Sequence, residues 1–490
     1  MSGYLVINVL FFTEKLASIT SDMEIKFLGA TETVTGSKHL VITDKGKQIL
    51  LDCGLYQGLG KETDALNRIL RLVPSEIETV ILSHAHIDHS GNLPLLVKEG
   101  FNGSIICTPA TEAVATILLL DSANIHENDI TYVNKRRKKE GLPPLKPLYT
   151  IKDAERCIKR FKTVPFNTDF MVNDEVKLRF TEAGHILGSA ITNLTLIKEN
   201  NDKIHLTYTG DIGRYGDMLM KDPAAFPQAD YIICESTYGD RLHEKHEDAS
   251  EMLLSCVKNT CIVKKGKLII PAFSLGRTQE IVYTLNKLFN AGKLPKIRIY
   301  VDSPLSASAT TVMNQHKECL NSDVQKLLEK DPDPFGFEGL KYVTKVDDSK
   351  AIDESNEPCI IISSSGMMDA GRVKHHLKHC LPHEKNTLLV VGYCSPNSLG
   401  AKLVKGDKEV KIFGELVEVK AEVKVITSYS AHGDYEEIIR FLECQDKKKV
   451  KEIFLVHGET DVKVSFKNTL TKKGYSRITI PVKGESAKLN

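Results

Sequence analysis

Three histidines and one aspartate lie within six positions of the chain, in the segment His84-Ala85-His86-Ile87-Asp88-His89, directly after the apolar run 79–83. Imidazole and carboxylate groups at the end of a buried strand need hydrogen-bond partners, and a bound metal ion supplies them. In an extended segment His84 and His86 point to the same side and reach one ion, while a turn brings Asp88 and His89 to a second ion. The spacing therefore predicts a hydrolytic site with two metal ions, whereas a lone histidine would indicate an ordinary core or surface residue.

The segments before this cluster predict the sheet that must hold it. Short runs rich in Val and Ile, separated by Gly and polar residues, predict strands at 23–28, 39–42 and 48–51. Asp52 ends the third strand, and we expect it to hydrogen-bond a backbone or imidazole N–H of the metal loop, unless it is an ordinary turn residue. After the cluster, helices are predicted up to Gly100 and over 110–123, so strands and helices alternate.

Two further candidate ligands follow later strands. His185 lies between Gly184 and Gly188, where the backbone can bend sharply and approach a ligand. Asp211 follows the strand-like run 206–210. Each residue alone would more often be structural. Because both come after the His84 to His89 segment, we expect both to bind metal, with Asp211 placed to bridge two ions.

From residue 213 onwards the pattern changes to apolar runs separated by long helices, at 231–234, 267–270, 297–300 and 358–362. This alternation predicts a parallel sheet covered by helices on both faces, and ligands of such sheets bind at the carboxyl ends of the strands. The loops there contain the residues that we expect to bind substrate: Ser364, Ser365, Gly366, Arg372, Lys374 and Arg277. The Ser-rich turn suits a phosphate group, although an ordinary strand-to-helix loop explains it equally well.

The composition sets the broad class of protein. A chain of 490 residues exceeds what one hydrophobic core usually holds, so at least two domains are expected. The formal net charge of +1 excludes a broadly basic protein that coats nucleic acid, so a polyanionic substrate would need a local basic groove. The eleven cysteines are scattered singly, which argues against a disulfide framework and favours a reducing cytoplasm.

Neither the middle of the chain nor its start predicts a membrane segment. No apolar stretch is long enough to cross a bilayer. The apolar run 5–12 lacks a preceding Lys or Arg and a convincing cleavage site, so it does not predict a signal peptide. We interpret residues 1–22 as an N-terminal extension, because Met23 begins a clean strand.

The chain from Met23 to its end resembles the β-CASP branch of the metallo-β-lactamase superfamily. Within that branch it is similar to the compact bacterial and archaeal homologues of the 3′-end processing endonuclease of the cleavage and polyadenylation machinery. The resemblance rests on seven motif positions that occur in the family's order: Asp52, the His84 to His89 segment, His185, Asp211, Glu235, His432 and His457.

The resemblance implies an α/β fold, in which a β-CASP domain with a parallel sheet flanked by helices is inserted into a metallo-β-lactamase αββα sandwich. We expect the first part of the sandwich at 23–212, the β-CASP domain at 213–405 and the second part of the sandwich at 406–490. The substrate would be single-stranded RNA, bound in the cleft between the two domains. No KH-like extension is expected before Met23 and only a short helix and strand are expected after His457, which favours an endonuclease.

The resemblance also implies roles for the motif residues. One zinc ion would be held by His84, His86, His185 and Asp211, and a second by Asp88, His89, His457 and the shared Asp211. The residues assigned to catalysis are Asp88, Glu235 and His432. His432 could protonate the leaving 3′ oxygen, because an imidazole titrates near neutral pH, and Glu235 could orient it.

Three other functions remain open from the sequence. A 5′-exoribonuclease would use the same site. A hydrolase of small thioesters or lactones has no need of a second domain that clamps the substrate. A non-catalytic scaffold would not need intact metal motifs. The sequence predicts no membrane partner, and it leaves the oligomeric state open, a homodimer included.

Overall fold

A computed structural model of the chain describes residues 22–243, 246–392, 394, 398–426 and 430–490. The predicted N-terminal extension lies outside the described residues except for Asp22. None of the helices in the described ranges is long and apolar enough to span a bilayer.

The strands of the described ranges are, in chain order, β1 (Glu24–Gly29), β2 (Lys38–Ile42), β3 (Gln48–Leu51), β4 (Ile77–Ile81), β5 (Ser104–Cys107), β6 (Phe161–Thr163), β7 (Phe170–Met171), β8 (Val176–Glu182), β9 (Ala190–Ile197), β10 (Lys203–Tyr208), β11 (Tyr231–Cys234), β12 (Lys267–Pro271), β13 (Arg298–Asp302), β14 (Leu340–Tyr342), β15 (Cys359–Ser363), β16 (Thr387–Val391), β17 (Glu409–Ile412), β18 (Glu415–Glu418), β19 (Glu422–Ile426), β20 (Glu452–Leu455), β21 (Ile478–Thr479) and β22 (Ser486–Lys488).

The α-helices of the same ranges are α1 (Thr63–Asn67), α2 (Ile87–Ser90), α3 (Leu93–Lys98), α4 (Pro109–Lys139), α5 (Ile151–Ile158), α6 (His246–Val257), α7 (Arg277–Asn290), α8 (Pro304–Gln315), α9 (Ser322–Leu328), α10 (Val346–Glu354), α11 (Val373–Cys380), α12 (Leu399–Lys405), α13 (Tyr435–Leu442) and α14 (Thr460–Lys472).

Two seven-stranded sheets form the first domain, with the strand orders β22-β1-β2-β3-β4-β5-β6 and β21-β20-β11-β10-β9-β8-β7. One core lies between them and contains Ile49 and Leu51 of the first sheet together with Ile233 and Phe454 of the second. Side chains alternate along a strand, so the residues between these point to the outer faces. Each sheet therefore buries both of its faces.

Helices cover the two outer faces. Leu50 of β3 packs in a core with Leu93 and Leu119 of α3 and α4. Ile232 of β11 packs in another core with Phe441, from α13. The layers thus run helix, sheet, sheet, helix, which confirms the predicted αββα sandwich. Helix α4 extends to Lys139, well past the predicted end at residue 123, because no Gly or Pro interrupts the sequence before Gly141.

A third sheet has six strands in the order β14-β13-β15-β12-β16-β19, and all of its strand pairs are parallel. The chain builds it between β11 and β20, which are themselves paired neighbours in the second sheet of the sandwich. The third sheet is therefore an insertion, as predicted. Its outermost strand, β19, pairs with β16 although it lies beyond the predicted boundary at residue 405. We therefore propose that the chain returns to the sandwich after residue 426.

Candidate metal centre

The first set of predicted ligands comes together where β4 ends and in the loop between β8 and β9. Nε2 of His84 lies 3.2 Å from Nδ1 of His86, and that Nδ1 lies 3.1 Å from Nε2 of His185. Oδ2 of Asp211 lies 3.4 Å from the His84 nitrogen and 3.5 Å from the His185 nitrogen. Four donor atoms from distant parts of the chain thus surround one point.

The second set lies beside the first. Nε2 of His89 and Nε2 of His457 are 3.1 Å apart, and the His457 nitrogen is 3.4 Å from Oδ2 of Asp88. Oδ1 of Asp211 lies 3.2 Å from the His89 nitrogen. The two carboxylate oxygens of Asp211 therefore face different sets, which is the geometry expected of a bridging carboxylate.

The donor atoms fit metal ions better than they fit one another. A tetrahedral zinc ion with bonds of about 2.0–2.1 Å needs donors about 3.3–3.4 Å apart, and nitrogens at 3.1–3.2 Å come close to that spacing. Oδ1 of Asp211 is buried and has no hydrogen-bond donor among the described residues. A cation between the donors would satisfy both the facing nitrogens and this oxygen.

Electrostatics favours the metal-binding form of the first set. Burial lowers the pKa of His84 and His185, and it lowers the pKa of His86 to about 3. These rings are therefore neutral near pH 7 and keep a lone pair for a metal ion. Burial alone would raise the pKa of Asp211, but the surrounding imidazoles hold it well below its usual range. Asp211 is thus ionised, as a bridging ligand must be.

The local backbone is shaped to bring the second set into place. His86 precedes the short helix α2, so Asp88 and His89 lie in its single turn. The loops before β2 and after β3 pack on this helix, since Ser37 and Cys53 donate backbone hydrogen bonds to the carbonyls of Asp88 and His89. Gly54 is needed at this contact, because a Cβ atom there would lie 1.5 Å from the Asp88 carbonyl oxygen.

Asp52 holds the metal-binding loop in place through hydrogen bonds, as the sequence predicted. Its carboxylate accepts hydrogen bonds from the backbone N–H and the hydroxyl of Ser83, both at 2.7 Å. It also lies 2.7 Å from Nδ1 of His89, and Tyr208 donates its hydroxyl to the same carboxylate oxygen at 2.7 Å. The contact with His89 leaves Nε2 of that ring to face the metal position. The sequence analysis did not identify Tyr208, because it resembles the other strand-forming residues of β10.

Glu235 and His432 form a third group next to Asp211. Nδ1 of His432 lies 3.2 Å from each oxygen of Glu235. The buried Glu235 carboxylate is fixed by Thr237, whose hydroxyl donates to it at 2.6 Å and lies 3.0 Å from Nδ1 of His457. Burial would lower the pKa of His432, but the charges of Glu235 and Asp211 raise it to about 9. His432 is therefore protonated near neutral pH.

His243 contacts the backbone of His432. The sequence analysis did not identify this residue. Nε2 of His243 lies 3.1 Å from the His432 carbonyl oxygen, and the backbone N–H of His243 donates to Asp434 at 3.1 Å. Asp434 in turn caps helix α13, which follows the His432 loop. A single histidine in a polar segment gives no sequence signal for such a contact.

The predicted substrate residues lie at the carboxyl edge of the third sheet. The hydroxyls of Ser364 and Ser365 bond to Ser303 and to the Ala370 carbonyl. The remaining members have these neighbours: Gly366 lies beside Phe273, Lys374 donates to the Asp369 carbonyl, Arg372 pairs with Asp302 at 2.6 Å, and the buried Arg277 pairs with Glu280. Both arginines already bind carboxylates of the protein. The assignment of this set to substrate stays a prediction.

Comparison with known proteins agrees with this architecture. Family models match the metallo-beta-lactamase superfamily at residues 35–156, the Beta-Casp domain at 278–403 and a Zn-dependent metallo-hydrolase RNA specificity domain at 416–482. The chain is 30% identical over 452 residues to ribonuclease TTHA0252 of Thermus thermophilus, across 92% of this chain and 97% of that protein. The chain belongs to the β-CASP family of metallo-β-lactamase-fold proteins. The predicted resemblance and fold class are confirmed.

Other known proteins match over most of the chain. The transcription termination factor FttA of Methanosarcina mazei is 31% identical, across 91% of this chain and 68% of that protein. The cleavage and polyadenylation specificity factor 73 of Drosophila melanogaster is 30% identical, across 89% of this chain and 60% of that protein. A solved structure of a protein of unknown function from Enterococcus faecalis covers 96% of this chain and 100% of its own with a TM-score of 0.53, and its 13% identity supports the fold alone.

Proposed function

We propose that this β-CASP protein is a zinc-dependent ribonuclease that hydrolyses phosphodiester bonds within single-stranded RNA, in the cleft between its two domains. The observation that carries the proposal is the pair of ligand sets that share Asp211, with His432 directly beside them. A site with two metal positions and a proton donor has the parts that phosphodiester hydrolysis requires.

We assign two zinc ions to the site. His84, His86, His185 and Asp211 would hold one, and Asp88, His89, His457 and Asp211 the other; these nitrogen and carboxylate donors suit zinc. Bound in pairs, zinc ions supply Lewis-acid activation of water and neutralise charge that develops on a phosphate. Asp52 would keep His89 in the orientation and tautomer that face the metal position.

His432 would act as the general acid. A group with a pKa near 9 holds its proton at neutral pH and can release it to the leaving 3′ oxygen. Its Nδ1 atom is engaged with Glu235, so the Nε2 proton is the one available for transfer. The His432 side chain is 19% exposed, which leaves it accessible to a substrate. Glu235 would therefore position His432 and stabilise its charged form.

RNA is the substrate class that the relatives favour. The name of the Thermus thermophilus relative describes a ribonuclease, and the model that matches residues 416–482 describes RNA specificity. The inserted third sheet would give an RNA-binding cleft a second wall, which a small ester or thioester does not need. Intact ligand sets argue against a non-catalytic scaffold.

The test uses one RNA in two forms. Zinc-loaded protein should cut a circular RNA, which has no end for a 5′-exoribonuclease, as well as the linear RNA of the same sequence. Metal-stripped protein and an Asp211→Asn variant should cut neither. Cleavage of the linear form alone would favour the exonuclease, and hydrolysis of small thioesters without RNA cleavage would favour the other enzyme class.

We also propose that the protein works in a reducing compartment such as the cytoplasm. All eleven cysteines are free thiols, and all but Cys394 and Cys444 are buried.

A homodimer is the assembly that we would test for by light scattering. Equal masses for the solution species and the single chain would exclude it.

A further inference from the structure

Phe273 is an exposed aromatic residue in a buried setting. Its side chain is 46% exposed, whereas its neighbours Ala272 and Ser274 are 1% and 9% exposed. The residue follows β12, in the loop that leads to helix α7. An isolated exposed apolar residue is common on protein surfaces, so exposure alone does not indicate a binding site.

The loop that holds Phe273 contacts the other domain. A Cβ atom on Gly276 would lie 3.9 Å from a side-chain carbon of Ile186, which directly follows the candidate ligand His185. Gly276 is three positions after Phe273, a span of at most about 11 Å. The loop that holds Phe273 therefore lies against the segment of the other domain that follows the candidate ligand His185.

The ring also borders the predicted phosphate loop. A Cβ atom on Gly366 would lie 3.2 Å from two ring carbons of Phe273, so the ring rests against the backbone of the Ser364 to Gly366 turn. A flat apolar surface beside a turn that suits a phosphate is the combination that single-stranded nucleic acids use, with the bases on aromatic faces and the phosphates on polar groups.

The backbone that holds the ring is fixed. The Phe273 carbonyl accepts a hydrogen bond from the Thr278 hydroxyl at 2.7 Å, and Gln279 donates to the Ser274 carbonyl at 3.1 Å. Ala272 donates its N–H to Ser363 at 3.0 Å. The ring is thus presented by a rigid loop, which lowers the entropy lost when a ligand binds to it.

Tyr238, a second aromatic residue near the site, is less suited to stacking. The Tyr238 ring lies 6.1 Å from that of His432, but it packs edge-on against His243 at 4.5 Å and beneath Arg241 at 5.9 Å. We therefore propose that Phe273 is the stacking platform for one unpaired base of the RNA bound at the metal centre. This proposal rests on the ribonuclease function proposed above, and it specifies how an RNA without base pairing is held.

The test measures stacking and affinity separately from cleavage. Short 2′-O-methyl oligoribonucleotides, each with 2-aminopurine at one position, are titrated with the zinc-loaded protein, since stacking quenches the fluorescence of this base. We expect strong quenching at one position. Phe273→Leu should abolish that quenching and weaken binding by about 5-fold to 150-fold, the usual effect of losing a base–aromatic contact. Phe273→Tyr should restore both.

The matched control is Phe289→Leu. Phe289 is 37% exposed and lies at the far end of α7, about 18 Å along the helix from Arg277, where it packs against Phe337. This variant should bind as the wild type does. An oligonucleotide with an abasic site at the quenched position should bind equally to wild type and Phe273→Leu.

The outcomes separate the two proposals. If Phe273→Leu binds and quenches like the wild type while the wild type still cuts RNA, the stacking proposal is wrong and the ribonuclease stands. If the wild type neither binds nor cuts RNA, both proposals are wrong.

Discussion

Nδ1 of His432 lies 3.2 Å from both oxygens of Glu235, while Nε2 of the same ring lies 3.9 Å from Oδ2 of Asp211. The ring thus stands between a carboxylate that orients it and the carboxylate that joins the two ligand sets. The orientation of the Glu235 carboxylate is fixed, because Ile212 and Thr237 also donate hydrogen bonds to it. The proposed proton donor is thus held by Glu235, a carboxylate outside the two proposed ligand sets, and this leads to the first prediction.

His432→Ala should keep both zinc ions and still bind RNA, yet cleave RNA about 10²-fold to 10⁴-fold more slowly, the usual range for the loss of a general acid. Metal content is measured by mass spectrometry of the purified protein and cleavage under single-turnover conditions. A substrate with a better leaving group than a ribose oxygen should restore much of the rate, because protonation then matters less.

His457→Ala is the control for this prediction. Its Nε2 atom faces His89 and Asp88, so the variant should lose metal and activity together, and a better leaving group should not help. The two histidines would have the opposite roles if His432→Ala lost zinc and His457→Ala kept it.

The second prediction concerns the difference between Asp88 and Asp211. Asp88→Ala should lower the occupancy of one zinc ion more than that of the other, because Asp88 belongs to one ligand set only, whereas Asp211→Ala should lower both. Titration with a chromophoric chelator measures the two equivalents. Asp240→Ala, which removes an exposed carboxylate outside the ligand sets, should leave both unchanged, and an unchanged metal content in Asp88→Ala would refute the assignment.

Local sequence signals, together with the family resemblance, indicated the parts of the site that follow strands. Dense spacing marked His84 to His89, and the ends of apolar runs marked Asp52 and Asp211, because a strand delivers the residue after it to the edge of the sheet. The contact of Tyr208 with Asp52 joins residues 156 positions apart, and that of His243 with His432 joins residues 189 positions apart. Such contacts depend on how the sheets pack, which no local pattern encodes.

The predicted end of the inserted domain at residue 405 rests on local patterns of the same kind. The run Glu422–Ile426 alternates like any half-buried strand, and its residues give no sign of which sheet it joins. Pairing with β16 is decided by the position of the neighbouring strands. Similarly, the sequence predicts that Arg277 and Arg372 bind substrate, and only the fold shows their carboxylate partners.

The third prediction tests the hydrogen bonds that hold His89 in place. Tyr208→Phe removes the hydroxyl that donates to Asp52, so Asp52 should hold His89 less firmly. We expect zinc affinity to fall by about 10-fold to 100-fold, with a larger loss in Asp52→Ala. Competition with a chelator of known affinity measures the change.

Tyr149→Phe provides the matched control, since it removes a buried tyrosine hydroxyl that bonds to Ser122 at 2.7 Å, among the helices of the first domain. It should leave zinc affinity unchanged. Equal losses in the two variants would mean that Tyr208 acts through general stability and not through Asp52.

The last prediction concerns a buried charge cluster in the inserted domain. His376 lies between Asp302, at 2.8 Å from Nε2, and Asp353, at 2.7 Å from Nδ1, and Arg372 also bonds to Asp302. Burial would lower the pKa of His376, but the two carboxylates raise it above the ordinary value of 6.5. The folded state therefore binds this proton more tightly than the unfolded state does.

The sign of the pH dependence follows from that difference. The stabilisation by charged His376 is complete below about pH 6.5 and is lost as the pH rises through the higher pKa of the folded state. His376→Asn should therefore lower the free energy of unfolding by about 3–5 kcal/mol at low pH, as expected for a broken buried ion pair, and by less as the pH rises. Urea unfolding of zinc-saturated wild type and variant across this range measures the difference. A difference that grew with pH would mean that the fold holds His376 neutral, and the cluster would then be an uncharged hydrogen-bond network.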